Sequence, residues 1–186
     1  MKIILGSQSK GRKKVMEEMG LEFEIMPADI DEKAIRHDDP KKMVLAIAKA
    51  KAEALKARIH EPKVLVTADT VVLWQDEVRE KPKDKQEAIA FLRGYNIAPA
   101  KVVTGVVVTN LATGITRSAV DVATVHFKHH SDEEIDKLVA DGHVLNYAGA
   151  FTLLDEGHVE SIDGTLDSVL GLPKELTKKL INEVLE

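Results

Sequence analysis

The sequence predicts an α/β fold of the mixed α+β kind, a twisted mixed sheet flanked by helices. Three observations carry that expectation. Strand-like apolar runs and segments of helical spacing interleave along the chain. Two long β-rich runs, residues 101–111 and 115–127, are joined by Ala112-Thr113-Gly114, which suits a hairpin turn. Capping signals then mark separate helices in the last third.

Taken in order, residues 2–5 form a short apolar strand. Gly6-Ser7-Gln8-Ser9 supplies turn and cap residues before a helical pattern that begins near Arg12. Residues 21–26 alternate enough for a second strand, and 27–39 are acidic and irregular, a surface loop. A long helix is expected over 40–59, with Pro40 in the permissive first turn and Met43, Ile47, Ala50 and Ala54 spaced for one face. Residues 64–66 read as a buried strand ending at Thr67-Ala68-Asp69-Thr70, with the apolar run resuming at 71–73. Asp84 and Glu87 resemble a capping box that opens a helix to about Leu92, with Gly94 as its stop. After the hairpin, Ser131 and Glu134 form a second capping-box pattern for a helix to about Ala140. Residues 147–154 look like a strand, 156–167 like a return strand with turns, and Pro173 opens a final helix toward Val184. The 186 residues fit one domain spanning 1–186, with no repeat, low-complexity tract or linker.

Composition narrows the chemistry. With 44% hydrophobic and 31% charged residues the chain has the balance of a soluble protein, and no run of about 18 apolar residues is present. The N-terminal residues enter a strand without the apolar region and cleavage site of a signal peptide, so a cytoplasmic location is expected. The absence of cysteine excludes disulfides, thiolate metal sites and cysteine nucleophiles. A net charge of −5 argues against a nucleic-acid polymer as partner, while a small anionic ligand remains compatible with a few converging cations. The seven histidines are scattered, apart from the adjacent His129-His130, and give no zinc spacing; no Gly-x-Ser-x-Gly elbow is present.

Three constellations carry chemistry. Ser7 and Ser9, followed by Arg12, combine hydroxyls, helix N-terminal amides and a guanidinium, the parts of a phosphate cradle; the alternative is an ordinary N-cap with a solvated basic face. Asp31-Glu32, with Asp29 nearby, and Asp69 at the end of a buried strand can hold Mg²⁺ or orient a water; the alternatives are a solvated loop for the pair and a turn or cap residue for Asp69. Asp69 is the stronger candidate, because an ionised carboxylate beside apolar strands needs a partner. Lys51 lies among alanines that let its helix approach another element while the lysine reaches outward, and Lys81 precedes Pro82. Each lysine also fits plain surface.

In this order the pieces resemble the Maf family. The matching stretches are Gly6-Ser7-Gln8-Ser9 with Arg12; Ala28-Asp29-Ile30-Asp31-Glu32; 48–52; Ala68-Asp69-Thr70; Lys81-Pro82 with Glu87-Ala88; Thr104-Gly105-Val106; 124–127; Ala148-Gly149; and Gly164 through Val169 to Gly171-Leu172-Pro173. The resemblance implies an inosine triphosphate pyrophosphatase-like fold of two lobes around a cleft, frequent homodimers, dependence on Mg²⁺ or Mn²⁺, and hydrolysis of nucleoside triphosphates to monophosphate and pyrophosphate. It also implies Asp69 and Glu32 as catalytic and metal-associated acids, Lys51 and Lys81 as phosphate-binding catalytic lysines, and Ser7, Ser9, Arg12 and Thr70 around the substrate.

The departures lie in the pocket. Where bacterial members commonly read Ser-Pro-Arg-Arg, this chain has Ser9-Lys10-Gly11-Arg12, so one of two arginines is absent. Asn146-Tyr147 stands where they read Asp-Lys, Arg93-Gly94-Tyr95-Asn96 alters a further segment, and their pocket glutamine falls on Leu154, which is substrate-binding by position but cannot hydrogen-bond a base. The pattern resembles a divergent branch with plant-like members. The implied substrate widens from dTTP and UTP to pyrimidine or modified nucleotides. A non-catalytic nucleotide-binding protein and an inosine or xanthosine triphosphate pyrophosphatase are the alternatives; the latter's early Thr/Ser-x-Asn-x-x-Lys pattern is missing.

Overall fold

The computed structural model describes residues 2–151 and 157–186. Its strands are β1 Ile3–Leu5, β2 Phe23–Ile25, β3 Val64–Trp74, β4 Glu77–Arg79, β5 Ala100–Asn110, β6 Thr116–Phe127 and β7 Val159–Asp163. Its helices are α1 Lys10–Glu18, α2 Pro40–Lys56, α3 Lys85–Tyr95, α4 Asp132–Ala140, α5 Leu166–Val169 and α6 Lys174–Glu183. The strands hydrogen-bond in the order β2-β1-β3-β5-β6-β7, with β4 paired to β3. β1 runs parallel to β2 and β3, whereas β3–β4 and β6–β7 are antiparallel, which makes the sheet mixed. Two compact units form. One holds the chain through Thr70, Val103–Asp121 and Leu170–Glu186; the other holds Val71–Val102 and Val122–Val169.

In the first unit the two-residue period of the strands divides the core. Ile3, Leu5, Val64, Val66, Ala68, Val106 and Val108 pack with Val15 and Met16 of α1 and Leu180, Ile181 and Val184 near α6. The intervening Ile4, Leu65 and Val107 pack with Ala48, Ala52 and Leu55 of α2. Alanine at 48 and 52 lets α2 lie close on β3, where the buried Thr67 hydroxyl donates to Ala48 O at 2.8 Å. Asp39 caps α2, with Pro40 in its first turn.

In the second unit Val72, Ala88, Phe91, Tyr95, Ala100, Val139, Val144 and Ala150 form the core. Tyr95 stacks on Phe127 at 4.5 Å between ring centroids, and both meet Phe151 edge-on. The Ser131–Glu134 capping box of α4 is present in full. That of α3 is half formed: Asp84 accepts from Glu87 N, but the Glu87 carboxylate accepts from Lys83 N.

Several elements differ from the sequence reading. β3 is one continuous strand, so Asp69 lies inside it and not at a strand end. Gly94 does not stop α3, which runs through it to Tyr95. A Cβ there would stand 2.8 Å from an Arg79 nitrogen, so the glycine makes room for a buried guanidinium. The strand expected at 147–154 is replaced, where described, by 3-10 turns at His143–Asn146 and Ala148–Ala150, because Gly149 and Ala150 adopt φ of 67° and 59°, outside any strand conformation. The remainder of that stretch, with Leu154, lies outside the described residues. β4 was not anticipated, and α5 replaces the end of the expected return strand.

Candidate functional site

Successive residues of β3 point to opposite faces, and this sends Asp69 and Thr70 to different partners. Asp69 follows Leu65 and Thr67 on the α2 face. There its Oδ1 accepts from Lys51 Nζ at 2.8 Å, and both side chains are less than a tenth exposed. The same ammonium reaches Glu32 Oε1 at 3.0 Å and Ala68 O at 3.5 Å. Lys51 therefore turns inward, against the outward direction expected from its alanine neighbours. The burial of Asp69 explains why: a carboxylate held in a strand interior needs a cation, and α2 delivers one. Of the acidic pair, Glu32 joins the lysine while Asp31 caps the 3-10 turn Glu32–Ala34 by accepting from Lys33 N.

Thr70 follows Ala68 on the α1 face and meets Arg12. The guanidinium donates from Nη2 to Thr70 Oγ1 at 3.0 Å, from Nη1 to Ser7 Oγ at 3.1 Å and from Nε to Gly171 O at 2.9 Å. These contacts use three of its five N–H groups and leave one on each terminal nitrogen for an anion. Burial pulls the Arg12 pKa below its ordinary value, and the fields of Asp69 and Glu32 oppose that fall. Ser7 Oγ also accepts from Ser9 N at 3.1 Å, which leaves the Ser7 proton free to point outward. Ser9 Oγ accepts from Arg12 N as the N-cap of α1, so its hydroxyl is committed to the helix. The N-cap expected for 7–12 is present at Ser9, while Ser7 joins Arg12 instead.

Gly11 has a local reason. A Cβ there would stand 2.8 Å from Leu170 O, so the glycine lets α1 approach the segment that carries Gly171. The 164–173 stretch, which carried no chemistry in the sequence, supplies a carbonyl to Arg12. Thr104, in sequence only part of the Thr104-Gly105-Val106 motif, has its hydroxyl 3.0 Å from Thr70 Oγ1.

Ser7, Ser9, Arg12, Glu32, Lys51, Asp69 and Thr70 all belong to the first unit. Lys81 belongs to the second, where it is exposed after β4 and Glu80 O accepts from Gly149 N at 3.0 Å. Tyr147, one of the departing positions, sits 5.1 Å from the His143 ring between centroids.

Among the described residues no group of three or more His, Asp or Glu gathers as a ready metal cage. Two carboxylates on one ammonium nevertheless fit a hard divalent cation of the Mg²⁺ type, which takes one or two protein carboxylates and completes its shell with water and substrate phosphates. No helix among the described residues is long and apolar enough to cross a membrane.

Known proteins resemble this chain over nearly its whole length. Residues 2–184 match the family model described as Maf-like protein. A 7-methyl-GTP pyrophosphatase of Dictyostelium discoideum is 43% identical over 98% of this chain and 96% of its own length. A dTTP/UTP pyrophosphatase of Alkaliphilus metalliredigens (strain QYMF) is 34% identical over 92% of this chain and 90% of its own. Among solved structures, a HAM1 protein from Coxiella burnetii aligns with a TM-score of 0.50 at 14% identity, covering 100% of this chain and 98% of that one; this likeness is one of fold alone.

Proposed function

The chain belongs to the Maf-like protein family, and on that premise we propose that it hydrolyses nucleoside triphosphates between the α- and β-phosphates, releasing a nucleoside monophosphate and pyrophosphate. The observation that carries this reading is the buried Lys51 ammonium holding Asp69 and Glu32 together at 2.8 and 3.0 Å.

In this reading Asp69 accepts a proton from the attacking water and orients it toward the α-phosphorus. The bond from that phosphorus to the bridging oxygen breaks, and negative charge moves onto pyrophosphate. Arg12, with one N–H on each terminal nitrogen, and the Ser7 proton are the donors assigned to the phosphate oxygens. Lys51, paired with Asp69 at 2.8 Å, fixes the carboxylate in direction. Asp69 and Glu32 are the residues that would hold Mg²⁺ or Mn²⁺, which when bound neutralises phosphate charge.

For substrate we favour a modified base, a methylated purine ahead of dTTP or UTP. The Dictyostelium relative named for 7-methyl-GTP is the more identical of the two, and in the sequence leucine stands at 154, the position on which the family's glutamine falls, and an aliphatic side chain cannot hydrogen-bond a base. A homodimer in the cytosol completes the proposal, and sedimentation of the full chain tests the dimer. The activity is tested by incubating the protein with 7-methyl-GTP, dTTP, UTP and ITP in Mg²⁺ or Mn²⁺ and assaying pyrophosphate against orthophosphate. Pyrophosphate with the methylated nucleotide at the highest kcat/KM is expected. Orthophosphate alone, or binding without any product, overturns the reading; a preference for ITP moves the substrate to the inosine class.

A further inference from the structure

Thr70 Oγ1 already accepts from Arg12 Nη2, and it also lies 3.0 Å from Oγ1 of Thr104 on the neighbouring strand β5. Thr104 is fully buried, and among the described residues this contact is the hydrogen bond its hydroxyl makes. One of the two hydroxyls must donate. If Thr70 donated, the Thr104 proton would be enclosed without an acceptor, which costs the full desolvation of a buried donor; an unused lone pair on a hydroxyl costs less. The donor is therefore Thr104.

Two donors, Arg12 and Thr104, then occupy both acceptor positions of the Thr70 oxygen, and its own proton is directed away from them. Thr70 is partly exposed, whereas Thr104 is not, so that proton faces the accessible side. Gly171 completes the arrangement: its φ is 87°, and a Cβ there would stand 2.9 Å from Thr70 Oγ1 and 3.4 Å from Arg12 Nε. Only glycine lets that backbone offer its carbonyl to Arg12 without displacing Thr70.

We propose that Thr104 is a positioning residue of the triphosphate site: it sets the Thr70 hydroxyl as a hydrogen-bond donor toward a phosphate oxygen and, through Thr70, holds the Arg12 guanidinium toward the same anion. This rests on the reading of the site as one that binds triphosphate. Thr104 itself touches no substrate.

The test uses the full chain in Mg²⁺, titrated calorimetrically with inorganic tripolyphosphate and assayed for pyrophosphate release from the best nucleotide. Thr104→Val keeps the shape and removes the hydroxyl. It is expected to raise Kd and KM about tenfold, the loss of one charge-assisted contact, while kcat stays within about twofold. Thr104→Ser is expected to restore both constants, and Thr104→Val is expected to add nothing in a Thr70→Val background, because the hydroxyl then has no partner to orient. If Thr104→Val does not fold, Thr104→Ala carries the same expectations. An unchanged Kd, failure of serine to rescue, or an undiminished effect in the Thr70→Val background overturns the proposal, as does a wild-type chain that does not bind tripolyphosphate. Binding by the wild type without pyrophosphate release removes the catalytic reading alone, and the Kd comparison still decides the role of Thr104.

Discussion

At the scale of single residues, Lys51 and Asp69 are unequal partners although they share one hydrogen bond. Asp69→Asn keeps an oxygen that accepts from Lys51, and the ammonium retains Glu32 as a counter-charge. Lys51→Ala leaves the Asp69 carboxylate buried without its cation. Asp69→Asn is therefore expected to abolish pyrophosphate release with little loss in urea unfolding, whereas Lys51→Ala loses activity and about 3 kcal/mol of stability. Equal stability losses in the two variants would refute this account. The acid was legible in the sequence because a carboxylate interrupting an apolar run requires a partner. That partner's direction was not, since alanines flanking Lys51 are equally compatible with a lysine facing solvent or one facing the sheet. Gly171 and Thr104 gave no chemical signal at all, because a backbone carbonyl and a buried threonine acquire meaning only when the fold sets them beside Arg12 and Thr70.

At the scale of elements, β4 and α3 are joined through Arg79. Its guanidinium is buried over Trp74, Phe91 and Tyr95, at 4.0, 4.6 and 5.0 Å from the ring centroids, and donates to Phe91 O at 2.8 Å. Glu77 pairs with Nε at 3.3 Å. Alanine in place of a helical glycine ordinarily stabilises by about 1 kcal/mol. At Gly94 the new Cβ would press on a guanidinium fixed from several sides, so Gly94→Ala is expected to reverse that sign and cost about 1–2 kcal/mol in chemical denaturation. A gain in stability would show that Arg79 moves freely. This pairing also shows which elements a sequence discloses. Ser131 and Asp84 marked helix starts correctly, because capping is local chemistry within four residues. Gly94 has the look of a stop because its cause lies on another element, and the described part of 147–154 departs from the expected strand because composition does not reveal the left-handed φ of Ala150.

At the scale of the whole molecule, protonation equilibria bound the pH range in which the fold is stable. Burial first, and the adjacent His158 ring second, lower the pKa of His130, whose Nε2 lies 2.8 Å from His158 Nδ1. Such a bond needs a lone pair on one ring, so the folded state resists the proton that the unfolded chain binds near its ordinary pKa of about 6.5. The contribution of His130 is thus present above about pH 6.5 and is lost as pH falls through the lowered folded value. Tyr95 sets a limit on the other side. Burial pushes its pKa up to about 12, so the fold holds a proton that the unfolded chain releases near its ordinary value of about 10, and stability falls as pH rises from there toward about 12. Glu61 and Glu134 have pKa values lowered below the usual carboxylate range, which places their effect at more acid pH. Urea unfolding of the full chain from pH 5 to 11 is expected to show a plateau with a decline at each end. His130→Gln is expected to flatten the decline between pH 7 and 5, and Tyr95→Phe the one above pH 10, at the cost of the 2.8 Å bond that Tyr95 donates to Gly149 O. A His130→Gln chain with an unaltered acid slope would move the origin of that limb away from the histidine pair.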